Sequence, residues 1–568
     1  MSPSHLCFQI ARSFFVLGFA FAGAGALAQT APDAGRLLEQ TRPQAAPAPT
    51  TAPPPRLIQP PVRPTVELPE GVTVLASAFR ISGAVSFPPE LLADLVKPWV
   101  GKRLDLRGLN EAAGAITRHY QAAGHFLTYA YLPAQRVDGG TVEIAVLEGR
   151  LEAVQTVTGS EVRLREEVVQ AHTDALTQRQ PVLQAQVERQ MLLLNDLPGV
   201  TARAAVAPGA TLGGAELVVT VLEEEPLETR LEIDNHGSRS SGGLRGSVGL
   251  QLRDVFGHGD LFTARALVGR QGGLVSGNIG MLWPVGGDGW KLGASLSRLQ
   301  YQLGGVFARV GAVGSADALQ LRGLYPLVRS LDANIRLSVE AEDKRLRDET
   351  VVADIPELGT NRLRRNRSLA LGVQTDWRDA LWGNAAGSSA SVTASLGALR
   401  QLGNAPPSLL GAAPSWRKLQ WSLARQQSLA KDWSLGLRGQ GQLTGSPLDS
   451  SEKLALSGPY AVRSYAPGEA VVDEGWIGSV ELRWAHAFQG GQFSAGLFHE
   501  RASGRFSIAG TTPGAANEPD LAGTGLSLNW SRGDLAVGAS LAWRGKREPS
   551  AEGGDSKPRL YFTVSLLP

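Results

Sequence analysis

The residues best placed to do chemistry lie in the stretch 450–476, SSEKLALSGPYAVRSYAPGEAVVDEGW. A Gly-Pro turn and a Pro-Gly turn bracket Val462, Arg463, Ser464 and Tyr465, so these four form the tip of a defined loop. On a surface such an arginine is ordinary. Inside a pore it must meet a carboxylate, because an unpaired buried guanidinium is costly. Glu500, in GQFSAGLFHERASG, is a candidate partner. On a strand, Ser494, Gly496, Phe498 and Glu500 share one face, assigned to a lumen, and Phe493, Ala495, Leu497 and His499 share the other. A bidentate pair in a constricted pore could hold a loop in one pose.

Other chemistry is poorly supported. Ser450 and Lys453 match the bare spacing of a serine acyl-transfer motif, but no helix starts there and no Lys-Thr-Gly follows, so a loop dyad is the plainer reading. No Ser/His/Asp grouping or phosphate loop stands out. The eight histidines are scattered singly, and the one cysteine, Cys7, precedes an apolar N-terminal run. Catalysis, a metal site and a cofactor are therefore not expected. With 55 basic and 53 acidic residues the charge nearly cancels, which gives no signal for nucleic acid. Asp234, Asn235, His236 and Gly237 read as a tight turn where a second module ends and the C-terminal domain begins.

The elements that must position these residues fall into five segments. Residues 1–28 read as a secretory signal, with Arg12 as the positive flank, SFFVLGFAFAGAGA as the apolar core and Ala26-Leu27-Ala28 as a cleavage site. Residues 29–71 hold a short helix, DAGRLLEQ, capped by Asp33 and tethered by a Pro/Ala-rich linker from Arg42 to Pro69. Residues 72–151 read β-α-α-β-β. Leu109, Ala112, Ala113, Ile116 and Tyr120 form one helix face, and two strands, FLTYAYLPAQRV and TVEIAVLEGRL, join at Asp138-Gly139. Residues 152–226 repeat that order, with Leu183, Val187, Met191 and Leu194 marking the second helix's buried face.

From 227 to 568 the helical period disappears and clean alternation replaces it. Leu535, Val537, Ala539, Leu541 and Trp543, for example, oppose Ala536, Gly538, Ser540, Ala542 and Arg544. Runs of about nine to eleven residues match a tilted strand crossing a bilayer. A soluble β-sandwich also alternates, but here the inward face carries Arg, Gln and Glu, and it would line water. Trp283, Trp377, Trp433, Trp484, Trp530 and Trp543 fall in or at the ends of runs, as an interfacial girdle would. At roughly 20 residues per strand and connection, this length predicts a transmembrane antiparallel β-barrel of about 16 strands preceded by two α+β modules.

These stretches resemble the outer-membrane transporters of two-partner secretion (TpsB type, with ShlB, FhaC and HecB), a branch of the outer-membrane insertase superfamily. GHFLTYAYLPAQRVDGGTVEIAVLEGRL is similar to a first POTRA (polypeptide-transport-associated) domain, and MLLLNDLPGV with LVVTV to a second. LEIDNHGSRSSG resembles the entry into the barrel, and LSGPYAVRSYAPGEA with DEGW and ELRW the lumenal loop and its following strand.

The resemblance implies functional places for Val462, Arg463, Ser464, Tyr465, Phe498 and Glu500 in a lumenal loop lock. It implies a POTRA–barrel junction at Asp234, Asn235 and Gly237, and a motif in the first POTRA domain at Tyr131, Leu132, Pro133 and Gln135. Ser464 stands where the family usually has glycine, Glu500 where it has aspartate and Ala502 where it has glycine, which implies a looser loop-to-wall fit. It also implies a pore in the Gram-negative outer membrane with periplasmic POTRA domains, secreting a TpsA-type β-helical exoprotein of haemolysin or adhesin type. Outer-membrane lipid, the barrel-assembly machinery and periplasmic chaperones are the other implied partners. An insertase of the same superfamily or a passive porin are the alternatives. The family often ends on an aromatic assembly signal; LYFTVSLLP places it at Phe562 or alters it at Pro568.

Overall fold

The computed structural model describes residues 31–42, 73–159, 162–178, 181–211, 213–351, 359–402, 411–510, 517–545 and 558–567. The signal segment 1–28, nearly all of the Pro/Ala-rich linker and Pro568 lie outside the described residues.

The first element among the described residues is the helix α1 (Ala34–Thr41). The Asp33 carboxylate accepts a hydrogen bond from the Arg36 N–H at 3.1 Å, which caps the helix and satisfies one of its orphan donors.

The first module packs α2 (Pro89–Val96) and α3 (Leu106–Ala122) on a three-stranded sheet ordered Ala78–Ser82, Thr141–Leu147, Tyr129–Tyr131. Leu109, Ala112, Ala113, Ile116 and Tyr120 all turn into its core, as their spacing requires. The strand expected over 126–137 is realised only at Tyr129–Tyr131. Pro133 has no N–H to give a ladder. The Gln135 side chain substitutes, accepting from Glu143 N at 2.6 Å and donating to Glu143 O at 2.7 Å.

The second module packs α4 (Glu166–Gln178) and α5 (Gln184–Asn195) on a sheet ordered Arg150–Thr158, Gly214–Glu223, Val200–Pro208. Four residues at helical spacing suggest one buried face on α5, but Leu192 and Leu193 are buried too, and Leu183 is only half-buried at the N-cap. The second face packs on the barrel. Arg329 forks onto Asp196 at 2.8 and 2.7 Å, Arg189 donates to Pro326 O at 2.8 Å and Leu331 N donates to Glu188 at 2.9 Å. A helix between two partners buries apolar residues beyond a single face, so its periodicity is blurred.

Sixteen antiparallel strands close into a barrel, the first, Leu227–Asp234, pairing with the last, Arg559–Leu566. Strands run from 8 to 20 residues, and the longest exceed the expected nine to eleven. The excess lies at the end away from the modules, where the outward face of Ala333–Thr350 changes from Leu337, Val339 and Ala341 to Asp343, Arg345 and Arg347. Below that change the exterior is apolar and open, with Ile279 58%, Leu292 54% and Leu371 61% exposed, as a lipid-facing surface must be. Turns at the module end are short, whereas connections at the far end include 235–244, 303–312 and 445–473. Trp283, Trp377, Trp433, Trp484 and Trp530 lie near the module end and Trp543 near the other. The charges of the lumen are shielded inside this cylinder, so the loop chemistry takes place within it.

Candidate functional site

The connection 445–473 folds back into the barrel. A short pairing of Leu454–Ala455 with Val471–Val472 stiffens it, and Leu456, Val462, Tyr465, Ala470 and Val472 pack against Ile477, Ala502 and Leu521 of the wall. This apolar anchoring delivers the tip to the strand Gly491–Arg505. Arg463 Nε donates to Glu500 Oε1 at 2.6 Å, and its backbone N–H donates to Oε2 at 2.8 Å. Glu500 is only 3% exposed, so the pair is desolvated and its removal would strand a charge. The guanidinium carbon lies 3.3 Å from the Phe498 ring centroid, a cation–π contact on the same face. A second carboxylate, Glu481, approaches to 3.9 Å.

The looser fit implied by Ser464 and Glu500 is not what the structure has. Ser464 turns toward Gly523 on the neighbouring strand, where an added Cβ would lie 2.3 Å from its hydroxyl oxygen. The missing side chain across the wall thus makes room for the extra one on the loop. Glu500 pairs with that same Gly523, and its oxygens reach both the backbone and the side chain of Arg463. Gly523→Val is expected to push the tip off the wall by about 1–3 kcal/mol. Adding Ser464→Gly should recover most of that loss, read as protease sensitivity of 445–473 in the two variants.

The tip has further partners that motif reading did not single out. Arg544 Nε donates to Ser464 O at 3.0 Å, its NH2 donates to Glu469 at 2.8 Å, and it stacks 4.3 Å above the Tyr465 ring. Tyr561 donates to Tyr465 O at 2.9 Å. The signal for Arg544 was its inward place in the alternation of Leu535–Arg544; no local signal pairs it with a loop some 80 residues earlier.

Beside this loop, α1 lies inside the barrel. Ala34, Leu37 and Leu38 pack on an apolar patch of the lumen wall that includes Leu267, Leu299, Tyr301 and Leu346. Two wall cations hold both the helix and the loop. Lys344 donates to Glu39 of α1 at 3.0 Å and to Glu452 of the loop at 2.9 Å. Arg364 contacts Asp33 at 3.3 Å and also pairs with Asp449 of the loop and Asp348 of the wall. Arg36 bonds Gly468 O directly, and Arg42 pairs with Glu342. A Cβ on Gly35 would fall 2.8 Å from Ser450 Oγ, so glycine permits this approach of helix to loop. Burial alone would raise the Glu452 carboxyl; Lys344 and Lys418 outweigh it and hold it at about 2. Ser450 and Lys453 do not form a dyad: Ser450 donates to Asp33 at 2.7 Å, and Lys453 meets Asp473 at 2.9 Å.

Asp234, Asn235 and Gly237 do not sit at the junction with the second module. Asp234 ends, and Asn235 and Gly237 follow, a strand that starts at Leu227, roughly 25 Å away along it. Asp234 takes a forked contact from Arg245 at 2.8 and 3.2 Å. Asn235 accepts from Phe562 N at 2.8 Å and donates to Leu560 O at 2.9 Å, so an amide side chain continues the closing seam, which has only four residue pairs of its own. The module and the barrel adjoin in the chain at Leu227, but the strand carries the turn that ends it to the opposite end of the barrel. Tyr131, Leu132, Pro133 and Gln135 stay together in the first module, Leu132 in its core and Gln135 bracing Glu143, far in the fold from the loop tip.

Residues 213–529 match the family model "Haemolysin secretion/activation protein ShlB/FhaC/HecB", and residues 75–149 match "POTRA domain, ShlB-type". The chain is 24% identical over 482 residues to the heme/hemopexin transporter protein HuxB of Haemophilus influenzae (strain 86-028NP), covering 84% of this chain and 83% of that one. It is 28% identical over 179 residues to the outer membrane transporter CdiB of Escherichia coli, 30% of this chain and 29% of that one. Among solved structures, CdiB from Escherichia coli superposes with a TM-score of 0.68 at 18% identity, covering 89% of this chain and 93% of that chain. CdiB from Acinetobacter baumannii gives 0.58 at 16%, covering 94% and 96%.

Proposed function

The chain belongs to the ShlB/FhaC/HecB family of haemolysin secretion/activation proteins, and is an outer-membrane two-partner secretion transporter with its POTRA domains in the periplasm; from that premise we propose that it exports one large β-rich exoprotein, docked on the POTRA domains and passed through a lumen that α1 and the Arg463 loop regulate. The observation that carries the reading is the shared attachment of helix and loop to Lys344 and Arg364. A helix held by ion pairs, rather than by covalent continuity with the wall, is suited to leave and return on its tether.

The outer strands of the two module sheets, Tyr129–Tyr131 in the first and Arg150–Thr158 in the second among them, offer ladder groups to an extended chain. Backbone pairing of that kind tolerates many sequences. A polar lumen then lets the chain's amides stay hydrated in transit. HuxB and CdiB carry heme/hemopexin and outer-membrane transport in their names; an exported protein encoded beside this chain is the cargo to test. Removing residues 72–151 from the full chain should lower secretion of that exoprotein below about a tenth of wild type, with channel activity in planar lipid retained. Undiminished secretion would refute docking on the first POTRA domain.

A further inference from the structure

The outward face of the barrel carries a basic cluster that neither the lumen nor the loop uses. Arg298, Asp317, Arg345, Arg365 and Arg400 fall in one cross-strand row over five consecutive strands. Their neighbours along these strands alternate with lumen-facing residues, so all five point away from the lumen. Arg417 opposes Leu396 on the next strand, and Arg367 opposes Asp343 one step below the row. The acids present are already engaged: Asp317 with Arg298 at 3.4 Å, and Asp343 with Arg365 at 2.8 Å and Arg367 at 3.2 Å. Arg345, Arg400 and Arg417 are exposed and have no acidic partner among the described residues.

Depth makes this unusual. On the strand Thr360–Asp379, Trp377 marks the girdle at the module end and Val373, Leu371 and Leu369 follow outward. Arg367 comes ten residues beyond Trp377, roughly 25 Å along the membrane normal once strand tilt is allowed for, which is the height of the apolar band. Arg365 therefore lies at the headgroups of the leaflet opposite the periplasmic modules, and Arg345 and Arg400 flank it on the adjoining strands. Outward arginines are costly within hydrocarbon and stable at a headgroup level that supplies anions.

On the strands beside Arg298 the wall is hollowed, and the lining of the hollow reaches Arg345 and Arg365. A cavity of about 820 Å³ has a floor of Ala264, Ala266 and Gly277, flanked by Leu250, Ile279 and Leu296. Small residues between bulky ones leave an apolar furrow that ends at guanidinium groups.

We propose that this face binds the phosphorylated, acylated glycolipid of the outer leaflet, its phosphates on Arg345, Arg400 and Arg417 and an acyl chain in the furrow. Arginine suits this role because its planar fork meets two phosphate oxygens at once. The furrow distinguishes an attached lipid from a free anion, since only the lipid fills both parts.

The test uses the full chain, purified in non-ionic detergent, titrated with fluorescent lipid A, with lipid A lacking its phosphates, and with inorganic phosphate. Saturable binding of lipid A, with at least tenfold weaker binding of both other probes, is expected. The triple variant Arg345→Gln, Arg400→Gln, Arg417→Gln should bind lipid A about 100-fold more weakly, at about a fivefold factor per charge. The corresponding triple lysine variant should stay within about tenfold of wild type. Equal binding of the dephosphorylated lipid, equal binding of inorganic phosphate, or an unweakened glutamine variant each overturns the proposal. Should the glutamine variant fail to fold, the three probes on the unaltered chain decide the question.

Discussion

Arg463→Ala should reduce secretion of the partner exoprotein by about a hundredfold or more while the barrel still inserts and resists heat unfolding in detergent. The substitution leaves Glu500, almost fully buried, without its cation. Stranding one member of such a pair costs about 3–5 kcal/mol, and at about 1.4 kcal/mol per factor of ten this moves the docked loop from dominant to minor. The stability of the barrel itself is carried by its sixteen-strand ladder and should change little. Arg463→Lys gives the finer reading. It keeps the charge and the backbone N–H bond but loses the Nε–H donor and the flat contact on Phe498, so an intermediate level is expected. Wild-type secretion by the alanine variant would dismiss the loop lock, and a barrel that no longer forms would make the residue structural.

The second large effect concerns Lys344. Its side chain is 2% exposed, and its ammonium lies among Glu39, Glu342 and Glu452. Lys344→Met would leave those carboxylates facing one another, and both α1 and the loop should loosen. Planar-lipid recordings are expected to show a several-fold rise in open-channel conductance together with a drop in secretion. Asp33→Asn with Glu39→Gln separates the two halves, because it weakens the helix's hold on Arg364, Lys344 and Ser450 and leaves Asp449 and Glu452 on those cations. That double variant should conduct more and still secrete. Equal conductance in wild type and Lys344→Met would argue that α1 does not obstruct the lumen. High salt should mimic neither variant strongly, since these pairs are buried from the solution that screens exposed charges.

These two expectations differ in how far they could be read before the fold was known. Period-two alternation places Glu500 inward, and turn residues place Arg463 at a tip, so both were legible as lumen groups. Alternation does not say which carboxylate the tip meets; Glu481 is also inward and only slightly farther away. The lysine cluster was not legible at all. Glu39 and Lys344 are 305 residues apart, and Lys344 looks in sequence like any polar position of a strand. Nor was Gly523 legible as the reason Ser464 fits, because a glycine in a strand advertises only an absent side chain.

By itself the sequence determined the barrel, its greasy exterior, the tandem modules and the capped helix before it. Each of these follows from local periodicity or from turn and cap chemistry, which act over a few residues. Tertiary structure alone decided which partner each buried charge found, that Asn235 seals the seam rather than the domain junction, and that arginines from separate strands line up outside. The physical reason is that strand register and loop docking bring together residues tens to hundreds of positions apart. A charge in a lumen takes whichever opposite charge that closure places within reach.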